Sequence, residues 1–206
     1  MSFELPLIYP ITDSNISGLT HAEQTARLIN GGAEVVQIRE KNLGAGEFCE
    51  AATAALVVAR EHGVPLIIND RVDITLLVGA DGVHLGQDDL PPDAARRLLG
   101  PFAVIGYSTH NLEQAVAAAA MPINYLAIGP IFPTGTKANP DPVVGLEGLR
   151  AVRRALPQIP LVAIGGITSK NVRSVIQAGA DSVAVISALL REPDRIDESM
   201  REFKRL

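Results

Sequence analysis

Tryptophan is absent from this chain, and aromatic residues make up only 4% of it. A surface built to stack bases would need more π-faces than that. Positive charge is not in excess either: 18 Lys and Arg stand against 23 Asp and Glu, for a net charge of −5. With no basic stripe along the chain, nucleic acid is not an expected partner. No apolar run approaches the ~20 residues of a membrane span. The opening Met1-Ser2-Phe3-Glu4 has no basic segment leading into an apolar one, so no secretory leader is expected. The lone Cys49 cannot form an internal disulfide and reads as a small core residue in an Ala-rich helix. What remains is an ordinary globular mixture, 47% hydrophobic and 20% charged, expected in the cytoplasm.

Short apolar runs alternate with longer helical patterns over the whole length. The expected strands are Leu7–Ile11, Val35–Ile38, Leu66–Ile68, Gly82–Leu85, Val104–Gly106, Tyr125–Ile128, Leu161–Ile164 and Ser182–Val185. The expected helices are His21–Asn30, Ala45–His62, Val72–Val78, Pro91–Leu99, Leu112–Ala120, Leu146–Leu156, Ser169–Ala178 and Asp194–Lys204. Thr20 and Glu23 have the spacing of a capping box. Gly31, Gly63 and Gly179 fall just past helix ends, where a left-handed residue is often needed. Return phrases such as Val78-Gly-Ala-Asp and Gln177-Ala-Gly-Ala-Asp recur between helix and strand, and read as reused loop chemistry. Strands this apolar are buried on both faces and hence parallel. Eight strand–helix units predict an α/β fold, a (β/α)₈ barrel. An open doubly wound sheet competes, but no Gly-x-Gly-x-x-Gly follows the first strand. No linker interrupts the chain, so residues 1–206 are expected to form one domain.

In such a barrel, chemistry sits where strands run into the following helices. After the second strand, alternation points Gln37, Arg39 and Lys41 one way and Ile38 and Glu40 the other. Three polar groups aimed into the mouth fit an anionic ligand; the competing reading is a salt-bridged strand end with Glu40 as partner. Asp70 and Asp89 end the third and fourth strands beside Asn69. They read either as a pair of Mg²⁺ ligands or as helix caps. His84 lies on the fourth strand, and Ser108 and His110 follow the fifth. The sixth strand leads into Ile128-Gly-Pro-Ile-Phe-Pro-Thr-Gly-Thr-Lys, whose backbone N–H groups, hydroxyls and lysine suit a phosphorylated ligand. Gly165 and Gly166 let the backbone after the seventh strand approach a ligand. With the N–H groups around Ile186 and Ser187 they occupy the usual phosphate site of such barrels. One rim thus carries two anion-friendly regions. A diphosphate with Mg²⁺ and a second, singly phosphorylated ligand would fill both. No nucleophile triad and no strand lysine stand out, which favours group transfer with diphosphate departing.

These phrases resemble the thiamine phosphate synthase family: Tyr9-Pro-Ile-Thr-Asp, Val36-Gln-Ile-Arg-Glu-Lys, Ile68-Asn-Asp-Arg-Val-Asp, Gly79-Ala-Asp-Gly-Val-His-Leu-Gly-Gln, Ile105-Gly-Tyr-Ser-Thr-His, Ala163-Ile-Gly-Gly-Ile and Ala184-Val-Ile-Ser-Ala, with the Gly-Pro-Thr-Lys loop between them. The resemblance spans nearly the whole chain in order. It implies a Mg²⁺-dependent transferase that joins a hydroxymethylpyrimidine diphosphate to a thiazole phosphate, by loss of diphosphate and capture of the pyrimidinylmethyl cation. By that resemblance, the segment Gln37, Ile38, Arg39, Glu40 and Lys41 binds the pyrimidine diphosphate together with Asn69, Ser108 and Lys137. Arg39, Ser108 and Lys137 would act in catalysis, and Asp70 and Asp89 would hold Mg²⁺. Thr134, Gly135, Thr136, Gly166, Ile186 and Ser187 would hold the thiazole phosphate. The implied partners are two small molecules, with room for a homo-oligomer. One departure from the family is Val143-Val144-Gly145-Leu146, where a Pro-Gly-Leu-like phrase is usual. The alternative on the same fold is a thiazole tautomerase-like isomerase, with His110 as its acid/base.

Overall fold

The computed structural model describes residues 3–136 and 141–206. Among them eight parallel strands close into a barrel in chain order, with the last returning to pair with the first. The strands are β1 (Ile8–Thr12), β2 (Val36–Ile38), β3 (Leu66–Asn69), β4 (Gly82–Leu85), β5 (Val104–Thr109), β6 (Tyr125–Ile128), β7 (Leu161–Ile164) and β8 (Ser182–Val185). Around them run α2 (His21–Asn30), α3 (Ala45–Glu61), α4 (Val72–Val78), α5 (Pro92–Leu99), α6 (Leu112–Ala118), α7 (Gly145–Ala155), α8 (Val172–Gln177) and α10 (Ile196–Lys204). Two single-turn helices, α1 (Ser14–Ser17) and α9 (Ser187–Leu190), sit in the loops after β1 and β8.

The two-residue period of the strands sorts the core into two layers. On β3, Leu66 and Ile68 face the helices while Ile67 faces the barrel interior. On β6, Leu126 and Ile128 face out, and Tyr125 and Ala127 face in. The same parity carries Gln37, Asn69, His84 and Ser108 to the interior side, where they line a cavity. Gly106 is required by this arrangement. A Cβ there would stand 2.1 Å from the ring of Tyr125.

The reused return phrases have a common purpose. Asp81 accepts from the N–H of Leu66, and Asp181 from that of Leu161, each at 2.8 Å. Asn124 does the same for Ile105 at 2.8 Å. Each residue at the entry of one strand therefore satisfies a backbone donor at the start of the strand before it.

The Thr20–Glu23 capping box is formed, and Gly63 and Gly179 are left-handed. Gly31 is not, since its φ is −78°. It is glycine because a Cβ would lie 2.6 Å from that of Met200, where α10 crosses. β5 runs past Gly106 to Thr109 because its register with β6 continues to the Thr109–Ile128 pair. α8 starts only at Val172, since Asn171 is engaged in closing the preceding turn onto Thr168 and Gly166.

Candidate active site

The C-terminal ends of the strands surround a cavity of about 850 Å³, open at the barrel mouth. A second space of about 490 Å³ adjoins it and shares Arg39, Lys41, Gly135, Thr136, Ser187 and Arg191 as walls. Among the described residues no helix is long and apolar enough to cross a membrane.

One side of the cavity is ionic. Arg39 donates to Asp13 at 2.5 Å, and Lys41 donates to Asp70. Asp13 also caps α1 through the N–H of Asn15, so its carboxylate is fixed before it holds the guanidinium. Asp89 lines the cavity beside Asp70, near enough to feel its charge. Its other engagement is the N–H of Gly86, at 2.7 Å. Burial pushes the Asp89 carboxyl up, the Gly86 N–H pulls it back, and the charge of Asp70 pushes it further up. Neither aspartate caps a helix. The residues preceding α4 and α5 are Arg71 and Pro91, with no side-chain cap at either. Asp70 instead adopts φ +64°, a left-handed conformation that among described residues no other non-glycine shares. Such a backbone costs of order 1 kcal/mol and is retained where geometry demands it. Here it turns the carboxylate toward Lys41 and Asp89. Two converging carboxylates open to the cavity are a donor set that fits one Mg²⁺ completed by phosphate and water. Among the described residues no group of three or more His, Cys, Asp or Glu side chains could hold a metal by protein ligands alone.

Glu40 takes the opposite face, as alternation requires. It is not the salt-bridge partner of Arg39 or Lys41. One oxygen accepts from the Nε2–H of His21 at 3.2 Å and the hydroxyl of Ser14 at 3.1 Å. The other accepts the N–H groups of Lys41, Asn42 and Leu43 at 2.7, 2.6 and 3.3 Å. Burial alone would raise its carboxyl, but the Asn42 N–H, His21, Ser14 and the Lys41 N–H outweigh that and hold it down to about 2. Glu40 therefore shapes the loop that presents Arg39 and Lys41. Ile38 is fully buried in the outer core and its side chain does not line the cavity.

The other side is built from backbone and hydroxyls. Thr134 and Thr136 stand with their oxygens 3.5 Å apart. They line the cavity with Gly135, Gly166, Ile186 and Ser187. Gly165 and Gly166 are left-handed, with φ of +101° and +64°. A Cβ on Gly166 would meet the Pro133 oxygen at 2.6 Å, so these glycines let the loops after β6 and β7 touch. The N–H of Phe132 donates to Gly165 at 3.0 Å across that seam. Ser187 opens α9 rather than continuing a loop. Lys137 lies outside the described residues. Arg191, exposed after α9, lines both spaces and has no signal in the strand-end pattern, because it sits one turn beyond the strand.

The floor between the two sides is a chain of hydrogen bonds. Gln37 donates to the Tyr9 hydroxyl at 3.2 Å, and the Tyr9 and Tyr125 hydroxyls meet at 2.7 Å. Tyr125 meets His84 Nδ1 at 3.0 Å, and His84 Nε2 meets Ser108 at 2.8 Å. Burial lowers the His84 pKa to about 4, against a small opposing pull from Asp70, so the imidazole is neutral at physiological pH. Burial likewise pushes Tyr9 up to about 12 and Tyr125 well above the ordinary tyrosine value. The sequence reading missed Tyr9 and Tyr125; strand parity, which turns both inward, is the signal that could have found them. His110 also lines the cavity, with Nδ1 2.7 Å from the Gly129 carbonyl and Nε2 3.5 Å from Asp141.

The model of the thiamine monophosphate synthase family matches residues 8–189. The thiamine-phosphate synthase of Koribacter versatilis is 50% identical over 197 residues, which is 92% of each chain. That of Albidiferax ferrireducens is 47% identical over 195 residues, covering 94% of this chain and 89% of its own. Among solved structures, the thiamine phosphate pyrophosphorylase of Pyrococcus furiosus superposes with a TM-score of 0.86 at 36% identity, over 97% of this chain and 94% of that one. These relatives are synthases, which sets the isomerase alternative aside, and the chain belongs to the thiamine monophosphate synthase family.

Proposed function

We propose that the ionic side of the cavity takes the pyrimidine diphosphate and the hydroxyl side takes the thiazole phosphate. The enzyme is a transferase that condenses the two into thiamine phosphate and diphosphate. The observation that supports this division is the convergence of Arg39, Lys41, Asp70 and Asp89 on one wall, facing Thr134, Thr136 and Gly166 on the other.

Asp70 and Asp89 would hold Mg²⁺. When bound, the ion neutralises charge on a departing diphosphate. Arg39 and Lys41 exchange their carboxylate partners for diphosphate oxygens, Arg through its planar fork and Lys as a compact charge. Lys137 is assigned to the same anion on sequence grounds. The bond between the pyrimidinylmethyl carbon and the diphosphate oxygen breaks, and its electron pair leaves with the diphosphate. Gln37, Asn69 and Ser108 orient the ring that carries the resulting cation. The thiazole nitrogen then closes on that carbon with its lone pair. It bears no proton, so the cavity needs no strong base, and its floor holds a neutral histidine. Thr134, Thr136, Gly166, Ile186 and Ser187 hold the phosphate tail and so place the nucleophile. Ile38 and Glu40 serve the site by carrying the segment between Gln37 and Lys41. Residues 1–206 would act as one catalytic unit in the cytoplasm.

The test is direct incubation. Pyrimidine diphosphate, thiazole phosphate and Mg²⁺ together should give thiamine phosphate and diphosphate, and omission of any one should give neither. Rearrangement of a thiazole phosphate carboxylate without the pyrimidine would instead support an isomerase.

A further inference from the structure

We propose that Tyr125 and His84 are positioning residues that fix the direction in which Ser108 points its hydroxyl proton. The inference rests on the reading of Ser108 as a substrate contact, and it follows from counting donors along the cavity floor.

The chain starts at the Gln37 amide, which turns its nitrogen to Tyr9. The Gln37 amide nitrogen has only protons to give, and it gives one to the Tyr9 oxygen at 3.2 Å. The Tyr9 proton is then free for the Tyr125 oxygen, 2.7 Å away. That leaves the Tyr125 proton for His84 Nδ1, at 3.0 Å. A ring nitrogen that accepts is bare, so the imidazole carries its proton on Nε2 and donates it to Ser108 Oγ at 2.8 Å. The Ser108 proton has no place left inside the chain, and no acceptor among the described residues takes it. Ser108 lines the cavity, so its proton is offered there. At the other end, Gln37 Oε1 remains an acceptor.

Packing makes the sense hard to reverse. Tyr125 stacks on His84 at 5.5 Å with 21° between ring planes. Tyr9 packs against Tyr125 at 5.6 Å. Both tyrosines are 1% exposed, and the glycine at 106 leaves just the space that the Tyr125 ring fills. The relay runs across the barrel from β2 through β1, β6 and β4 to β5, so no two of its members are neighbours in sequence.

The experiment reads the His84 tautomer by ¹⁵N NMR on the free, labelled protein, with the signal assigned by loss in His84→Gln. The expected result is the Nε2–H tautomer in the wild type and in Tyr9→Phe, where Tyr125 still donates to Nδ1. Tyr125→Phe should lose that bias and lower kcat of coupling by about 10-fold. Tyr125→Phe should add nothing further in a Ser108→Ala background. A merely structural role would affect Tyr9→Phe and Tyr125→Phe alike and leave the tautomer unmoved. The Nδ1–H tautomer in the wild type would overturn the proposal, as would a Tyr125→Phe protein with unchanged tautomer and turnover. The tautomer is read without substrate, so failure of the coupling assay alone would count against the assigned reaction and not against the relay.

Discussion

Asp70 and Asp89 face one another from the loops that follow β3 and β4, close enough for the charge of Asp70 to push the Asp89 carboxyl up. Like charges do not meet in this way without a proton or a cation between them. The Lys41 ammonium on Asp70 supplies one positive charge, and the burial of Asp89 raises the cost of leaving the second carboxylate unmatched.

Metal dependence follows from that pair. EDTA should abolish turnover and Mg²⁺ should restore it. Asp70→Asn tolerates the left-handed backbone and keeps the shape, as does Asp89→Asn. Each should lower kcat/KM by at least ~10²-fold, the scale set by removing one strong electrostatic partner of a transition state. Circular dichroism should show both variants folded. Undiminished turnover in EDTA would remove the metal from the mechanism.

The two sides of the cavity should separate kinetically. Arg39 is held by Asp13 at 2.5 Å, ready to turn its fork to an anion. Lysine keeps the charge but not the fork. Arg39→Lys should raise KM for the pyrimidine diphosphate by roughly 10-fold, worth about 1.4 kcal/mol, and leave KM for the thiazole phosphate unchanged. Thr134→Val should do the reverse. If each variant affects the other substrate, the assignment of sides is inverted.

The fold was legible because each strand is an apolar run between helical patterns, and β4 and β8 are announced again by a return phrase such as Gly79-Ala-Asp. Alternation continued past the end of β2 separated Arg39 and Lys41, which line the cavity, from Glu40, which turns to His21. The partners were not legible. Pairing Glu40 with His21, or Asp13 with Arg39, joins the loop after β2 to the start of α2 and to the loop after β1, over 19 and 26 residues. Only the closed barrel brings these together. The capping reading of Asp70 and Asp89 failed because their partners are not on the next helix: Asp70 takes Lys41 across the rim, and Asp89 takes the N–H of Gly86 in its own loop.

Glu40 should make the protein acid-sensitive. Its folded pKa, about 2, lies below the ordinary 4.5. The ionised form therefore stabilises the fold above pH ~4.5, and this is lost as pH falls through the folded value. The shift corresponds to about 3 kcal/mol at neutral pH. Glu40→Gln should lose most of that in urea titrations at pH 7. The gap to wild type should narrow steadily from pH 4.5 to pH 2. A gap independent of pH would mean that shape, not charge, is what the buried carboxylate contributes.

The last prediction concerns the space beneath the relay. A Cβ on Gly106 would lie 2.1 Å from Cζ and 2.3 Å from the hydroxyl of Tyr125. The ring cannot retreat, because Tyr9 and His84 pack against it and bond its hydroxyl. Gly106→Ala should cost about 1–3 kcal/mol, the usual range for overpacking a core. It should lower activity further by displacing His84. Replacing Tyr125 by Leu removes the clashing atoms, so Gly106→Ala should cost much less in that background than in the wild type. A coupling energy near zero in this double-mutant cycle would show that the backbone of β5, and not the Tyr125 ring, requires glycine at this position.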